Sequence, residues 1–323
     1  MTTSVRLKAA ITLGVGAALA LTAVAAHAAT VKKQIDIIAQ GTVHQTLFAI
    51  GFDGQKGFSV GAAGEVQTTE DGGKTWKGSK LPTDMALLGI HVDAARAIAV
   101  GQAGVGFVKN AGGEWEKVDT GTTKRLFSVS SNVGGLAIAA GEFGALLLSE
   151  DGGRTWHDLT LDWMAVGTEG GAEPHLYGAY VGVDGTMSVV GEFGLVLRST
   201  DRGRTWSVQN KSTASLFSIK IRDDGVGFAV GQDGYAVKTT DGGLTWTCID
   251  IGSKAILNGV HSSADGRVTI TAMREMMISS DDGATWNSID NPEVTTVWYV
   301  GVGSPGSDVL AVGQAGRIIR VGS

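Results

Sequence analysis

Short apolar runs, each broken by Gly, Asp or Asn, follow one another along most of this chain, and they fall into groups of four. One group is Leu216–Ile221, Gly227–Val230, Tyr235–Thr239 and Thr245–Ile249. Side chains alternate between apolar and polar within such runs, which is the period of a strand with one covered face. The Gly/Asp breaks are short enough for hairpins. The pattern therefore predicts antiparallel strands in sets of four, recurring about every 40 residues by direct count.

Three markers fix the number of sets. The first is a tryptophan: Trp76, Trp115, Trp156, Trp206, Trp246 and Trp286 lie 39, 41, 50, 40 and 40 residues apart. Five of them end a stretch Ser/Thr-x-Asp-x-Gly-x-Thr-Trp, the Asp-box, at Thr69–Trp76, Ser149–Trp156, Ser199–Trp206, Thr239–Trp246 and Ser279–Trp286; Asn110–Trp115 is a decayed copy. The second marker is Val/Ala-Gly-x-x-Gly at 60–64, 100–104, 140–144, 190–194, 230–234 and 312–316, degraded to Ala272–Met276 in the sixth unit. The third opens each unit: Leu47-Phe48, Leu87-Leu88, Leu126-Phe127, Leu176-Tyr177, Leu216-Phe217, Leu257-Asn258 and Val297-Trp298. Seven units of four antiparallel strands predict an all-β, seven-bladed β-propeller spanning residues 29–323. The seventh unit stops after its third strand, Arg317–Val321, while apolar Val31–Ile38 precedes the first unit. That N-terminal strand is expected to complete the last blade and close the ring, because both ends would otherwise leave unpaired edges.

The 50-residue interval places about ten extra residues in Leu159–Glu173, between the fourth strand of blade three and the first of blade four. Because successive strands run up and down, this insertion opens onto the face that carries the Val-Gly turns.

Composition adds a compartment. Residues 1–28 depart from the repeat: Arg6 and Lys8 precede an uncharged Ala/Leu/Val stretch, Ala9–Ala26, and Ala26-His27-Ala28 offers small residues for a cut. This pattern predicts a cleaved signal peptide and no stable membrane insertion afterwards, so the mature chain is expected to be exported, to the periplasm. Without the leader, 24 Lys and Arg face 32 Asp and Glu, a formal charge of −8, which argues against nucleic acid as a partner. The single cysteine, Cys248, cannot form an internal disulfide and is expected to be a small buried apolar residue. A large single ring is expected to stand as a monomer.

Five aspartates in matching surroundings, Asp71, Asp151, Asp201, Asp241 and Asp281, invite a catalytic reading. Carboxylates spread over separate blade turns instead suit a structural role repeated from blade to blade. Each can accept backbone N–H bonds within its own turn, while the following Trp packs between sheets. The paired signature Val-Gly-x-x-Gly and Asp-box, as in Val230–Trp246, resembles the Asp-box (BNR-repeat) propellers along the whole mature chain. It is most similar to the photosystem II stability and assembly factor-like family. The resemblance implies a non-catalytic scaffold that binds a protein partner, a membrane or envelope complex, without cofactor, and a place in the thylakoid lumen where the host is photosynthetic. Photosynthetic members of that family use an arginine-rich surface; here Arg198, Arg202 and Arg204 cluster around one Asp-box.

An alternative is an Asp-box glycoside hydrolase of sialidase type, or a glycan-binding propeller. Four tyrosines are present, Tyr177, Tyr180, Tyr235 and Tyr299, but no Arg-Ile-Pro signature or arginine triad accompanies them. Glu142 and Glu192 occupy equivalent turns of adjacent blades and could form a carboxylate pair, although repetition explains them more simply. His44, His91, His157, His175 and His261 lack paired ligand spacing, so no metal site is expected. The sharpest candidate is a contact patch on the Val-Gly face. The turns of blades three and four both read Glu-Phe, so Phe143 and Phe193 stand at their tips beside the insertion residues Trp163 and Met164. Either these four side chains, with Glu142 and Glu192 of the same turns, meet a partner, or the Phe rings tuck under the insertion as local packing.

Overall fold

The computed structural model describes residues 28–322. The signal-peptide expectation, on residues 1–28, lies outside the described residues except for Ala28. Seven four-stranded units form a propeller, each with its four strands in neighbouring order. Blade five, for example, consists of Leu216–Ile221, Gly227–Gly231, Ala236–Thr239 and Thr247–Ile249. Blades one to six begin at Leu47, Leu87, Leu126, Leu176, Leu216 and Leu257, all fully buried.

The ring closes as the chain ends suggested, with one addition. Ile35–Ala39 pairs antiparallel with Ile318–Val321, completing blade seven with Tyr299–Gly303 and Val309–Gly313. Ala29–Val31 goes elsewhere: it runs parallel to Asn287–Ile289 and adds a fifth strand to the outside of blade six. The predicted single strand Val31–Ile38 is thus two strands on two blades.

The blade-seven marker shifts by two residues. Tyr299 pairs with Gly313 as Leu216 pairs with Gly231, so Tyr299-Val300 replaces the expected Val297-Trp298. A helical turn at Pro292–Thr295, capped by the Asn291 side chain on Glu293 N–H, lengthens the connection and displaces the register. Cys248 also departs from expectation. It is exposed, because the outer strand of a blade has no neighbouring sheet closing over it.

Apolar residues are buried between blades rather than in one central core. Phe58, Val60 and Leu87 pack with Ala99 and Phe107 between blades one and two, and similar clusters fill the other gaps. Each box tryptophan reaches back to the preceding blade: Trp286 is buried edge-on against Phe228, and Trp76 meets Phe52 and the blade-seven cluster around Leu310.

The Asp-boxes are internally satisfied. In blade three Asp151 Oδ1 accepts from Arg154 N–H (3.0 Å), Thr155 N–H (2.9 Å) and Ser149 Oγ (2.8 Å), while Oδ2 accepts from Thr155 Oγ1 at 2.6 Å. Ser149 Oγ accepts in turn from Gly153 N–H, and Trp156 Nε1 donates to Gly153 O. The same threonine hydroxyl bond, 2.6 Å, recurs at Asp71, Asp201, Asp241 and Asp281. These donors hold all five carboxyls down to about 2, led by the threonine hydroxyl at four of them. At Asp151 partial burial opposes the shift and is outweighed. Carboxylates so occupied hold turns together.

Two faces follow from the turn contacts. Asp-box turns bond to the hairpins between first and second strands, as in Gly152 N–H to Gly135 O. Val-Gly turns bond to the connections entering the next blade, as in Gly144 N–H to Pro174 O and Gly234 N–H to Ala255 O. The insertion therefore lies on the Val-Gly face.

Candidate partner-binding face

Each Val-Gly turn is built around one close approach. The residue just before the first strand of the same blade offers its carbonyl to the turn: Arg125 O accepts from Glu142 N–H, His175 O from Glu192 N–H and Ser215 O from Gln232 N–H. A Cβ on Gly141 would lie 2.1 Å from Arg125 O, and one on Gly191 would lie 2.3 Å from His175 O, which only glycine avoids.

Two residues later the backbone turns left-handed. Phe143 (φ 50°) and Phe193 (φ 58°) occupy this position in blades three and four, as Ala63, Ala103 and Ala315 do in other blades at nearly the same angle. A left-handed non-glycine residue costs about 1–2 kcal/mol. The turn bears this cost with alanine as with phenylalanine.

The four apolar candidate side chains separate. Trp163 sits in the one-turn helix Trp163–Val166, capped by Asp162 accepting from Ala165 N–H, and is only 8% exposed. Its indole lies against Gly144 and joins the core of blades three and four with Leu146, Leu176 and Leu195. It is a plug, contrary to its expected place in a contact patch, since the apolar gap beneath the insertion needed a filler. Met164, on the opposite side of that turn, is 69% exposed. Phe143 and Phe193 are 55% and 49% exposed, so the rings do not tuck under the insertion.

Glu142 and Glu192 have backbone duties. Glu142 Oε1 accepts from Arg125 N–H, and Glu192 Oε2 from His175 N–H, both at 2.8 Å. Gln102 makes the same bond to Ala86 N–H in blade two. An amide serves as well as a carboxylate, so the position asks for an acceptor rather than an acid.

Sequence reasoning missed what connects the tips to the axis. The residue after each first-strand leucine turns into the central channel, placing Phe48, Leu88, Phe127, Tyr177, Phe217, Asn258 and Val300 at its lining. From blade three to blade five the aromatics form a path: Phe143 against His175 (4.8 Å between centroids), His175 against Tyr177 (6.0 Å), Phe127 against Tyr177 (5.3 Å) and Tyr177 against Phe217 (5.1 Å). His175 Nδ1 accepts from Phe143 N–H at 3.0 Å, which fixes the ring beneath the tip. Burial, and after it the Glu192 carboxylate, raise the Tyr177 phenol, which stays neutral. The signal lay in the repeated Leu-aromatic pair, whose second member cannot share the buried side of the first.

The insertion is held over this region by Lys211, which donates to Gly167 O at 2.9 Å, and Lys124 ties Phe143 O (2.7 Å) to Glu173 (3.6 Å). Other exposed apolar side chains share the face: Val43, Met85, Ile256 and Met273 lie on its connections and turns. On the Asp-box face, Arg198 donates to Gly242 O and Arg202 pairs with Glu150, so two arginines of the cluster are engaged within the ring. Among the described residues no helix is long and apolar enough to cross a membrane, and no cluster of three His, Cys, Asp or Glu could hold a metal ion.

Known proteins agree with this architecture. A structure described as YCF48 bound to D1 peptide superposes with a TM-score of 0.69 at 18% identity, covering 92% of this chain and 98% of its own. YCF48 from Cyanidioschyzon merolae gives 0.69 at 18%, covering 89% and 98%. Virginiamycin B lyase from Staphylococcus aureus reaches 0.74 at 12%, covering 90% and 100%. These likenesses show the propeller. A search of curated protein sequences finds no significant match. The family described as photosynthesis system II assembly factor YCF48 matches residues 25–188, just over half of the sequence, and the chain belongs to that family.

Proposed function

We propose that this protein is an exported, non-catalytic scaffold that holds a protein partner, a membrane or envelope complex, on its Val-Gly face. The observation that supports this reading is the pair Phe143 and Phe193. Both stand half exposed in a backbone conformation that costs energy, at positions where three other blades place alanine. Aromatic and methionine side chains on a rigid rim, continuous with an aromatic channel mouth, suit capture of an apolar segment of a protein. The family and the D1-peptide complex of a structural relative support a protein as the ligand, and an envelope or photosynthetic membrane complex is its natural source. Glu142 and Glu192, each bound to a backbone N–H, serve the scaffold rather than acid/base chemistry.

Capture from detergent-solubilised membranes of the source cell tests the reading. The tagged mature protein retains a membrane protein, and the Phe143→Ala/Phe193→Ala variant retains at least tenfold less while keeping its fold. Equal capture by both proteins would refute the assignment of this face.

A further inference from the structure

Six of the seven gaps between blades hold a tryptophan that reaches back to the preceding blade. Its neighbour there is a fixed position on the second strand, three residues before the Val-Gly glycine. Phe58 meets Trp115 and Phe228 meets Trp286 edge-on, while Ile98, Ile138 and Leu310 share clusters with Trp156, Trp206 and Trp76. In blade four the position is Ser188, and Trp246 fills that gap beside Val190 and Ile221. Blade six places Thr269 there, since Leu257 pairs with Ala272 as Leu216 pairs with Gly231.

Among the described residues the gap between blades six and seven has no such tryptophan. In blade five Phe228 pairs with Lys238, and Lys238 with Thr247, the residue after Trp246. The matching ladder of blade seven is Leu310, Arg320 and Asp36, so Ile35 stands where the tryptophan would. Connectivity is the reason: this fourth strand follows Ala29–Val31 and is not entered through an Asp-box. Ile35 is the smaller side chain. It joins the cluster of Val309 and Val321, and a cavity of about 290 Å³ remains between the two blades.

Thr269, Ile278 and Asn287 of blade six face Val309 and Val321 of blade seven across this cavity, with Val31 alongside. Ile278 pairs with Thr269 as Val108 pairs with Ile98, the two residues clustered with Trp156. At the edge Arg267 joins the blades, bonded to Asp265 at 2.7 Å and to Ser307 O at 2.8 Å. We propose that the cavity binds a small molecule of the indole class, its ring lying where a box tryptophan lies in the other gaps. The space suffices, since an apolar cavity of ~150 Å³ already takes up benzene. Apolar walls from two facing sheets suit a flat ring. Each box indole donates its N–H to a glycine carbonyl, as Trp246 does to Gly243 O. Here the Thr269 hydroxyl and the Asn287 amide oxygen offer acceptors in the wall.

The test uses the mature protein with ¹³C-labelled isoleucine δ1 methyls, the Ile278 resonance being assigned by Ile278→Val. Indole shifts that resonance through its ring current and raises the melting temperature. Ile35→Trp restores the missing side chain, melts at or above the parent temperature without ligand, and weakens indole binding by about tenfold or more. Ile278→Phe fills the cavity from the other wall and weakens binding likewise, which decides the matter if Ile35→Trp does not fold. Two results overturn the proposal: saturating indole leaves the Ile278 methyl unmoved, or a folded filling variant binds indole as tightly as the parent.

Discussion

Replacing Trp163 by alanine separates the two jobs of the insertion. The indole is 8% exposed and packs among Leu146, Leu176 and Leu195; a Cβ on Gly144 would come within 2.9–3.0 Å of three of its atoms. Truncating a tryptophan in such a site costs about 3–5 kcal/mol, since the surrounding strands cannot collapse into the space. For a domain of this size each kcal/mol moves the melting temperature by about 2 °C, so a fall of about 6–10 °C is expected. Phe143→Ala/Phe193→Ala should cost far less. Each ring is about half exposed, so its loss forfeits about 1 kcal/mol of burial. Alanine already occupies the same turn at Ala63, Ala103 and Ala315, so the backbone is unchanged. The double variant should therefore melt within about 4 °C of the parent. Differential scanning calorimetry of the mature chain and both variants decides the matter, with near-ultraviolet circular dichroism confirming native packing. A Trp163→Ala protein that melts within about 2 °C of the parent, or a phenylalanine pair that costs more than the tryptophan, refutes the division of labour.

Other predictions concern the ring itself. Removing residues 28–39 strips the outer strand from blade seven and the parallel strand from blade six, so amide exchange at Ile318–Val321 should rise to near the global unfolding rate. Unchanged protection there would mean that the ring does not need this closure. The five box carboxyls have folded pKa values of about 2, below the unfolded value of about 3.9, so their contribution is whole above pH 4 and is lost as the pH falls through 2. Melting temperature measured from pH 5 to pH 2 should fall across that window, and less steeply when Asp241 is replaced by Asn, which gives up the charge beforehand.

Much of this architecture was legible in sequence because each unit repeats the same local solution. A Gly that must approach a carbonyl, an Asp that must collect its turn's donors and a Trp that must fill the gap to the preceding blade cannot vary freely, so Gly141, Asp151 and Trp156 announce the geometry around them. Legibility failed where a unit departs from its siblings. The helical turn at Pro292–Thr295 hid the start of blade seven, and the strand Ala29–Val31 has no counterpart in any other blade. Trp163 and Met164 are adjacent apolar residues in an irregular segment without period, and only the packing beneath shows that one is core and the other surface. Cys248 was misplaced because alternation predicts burial only where a second sheet covers the strand. The aromatic path through Phe127, Tyr177 and Phe217 was present as half of a marker used merely for counting.

The partner of Ile35–Ala39 carries a consequence for how the molecule is made. This strand precedes every blade in order of synthesis, and Ile318–Val321 follows them all. Each blade pairs its own strands locally and can form early, but the contact that turns a crescent into a circle spans nearly the whole sequence and is the slowest to find. Until then blade seven presents the bare edge of Ile318–Val321, and blades one and seven leave the apolar face they share uncovered, to any neighbouring chain. Assembly of this protein is thus a two-tempo process, with rapid local hairpins and one late clasp, and conditions that delay the clasp should favour exchange of end strands between molecules over the closed ring.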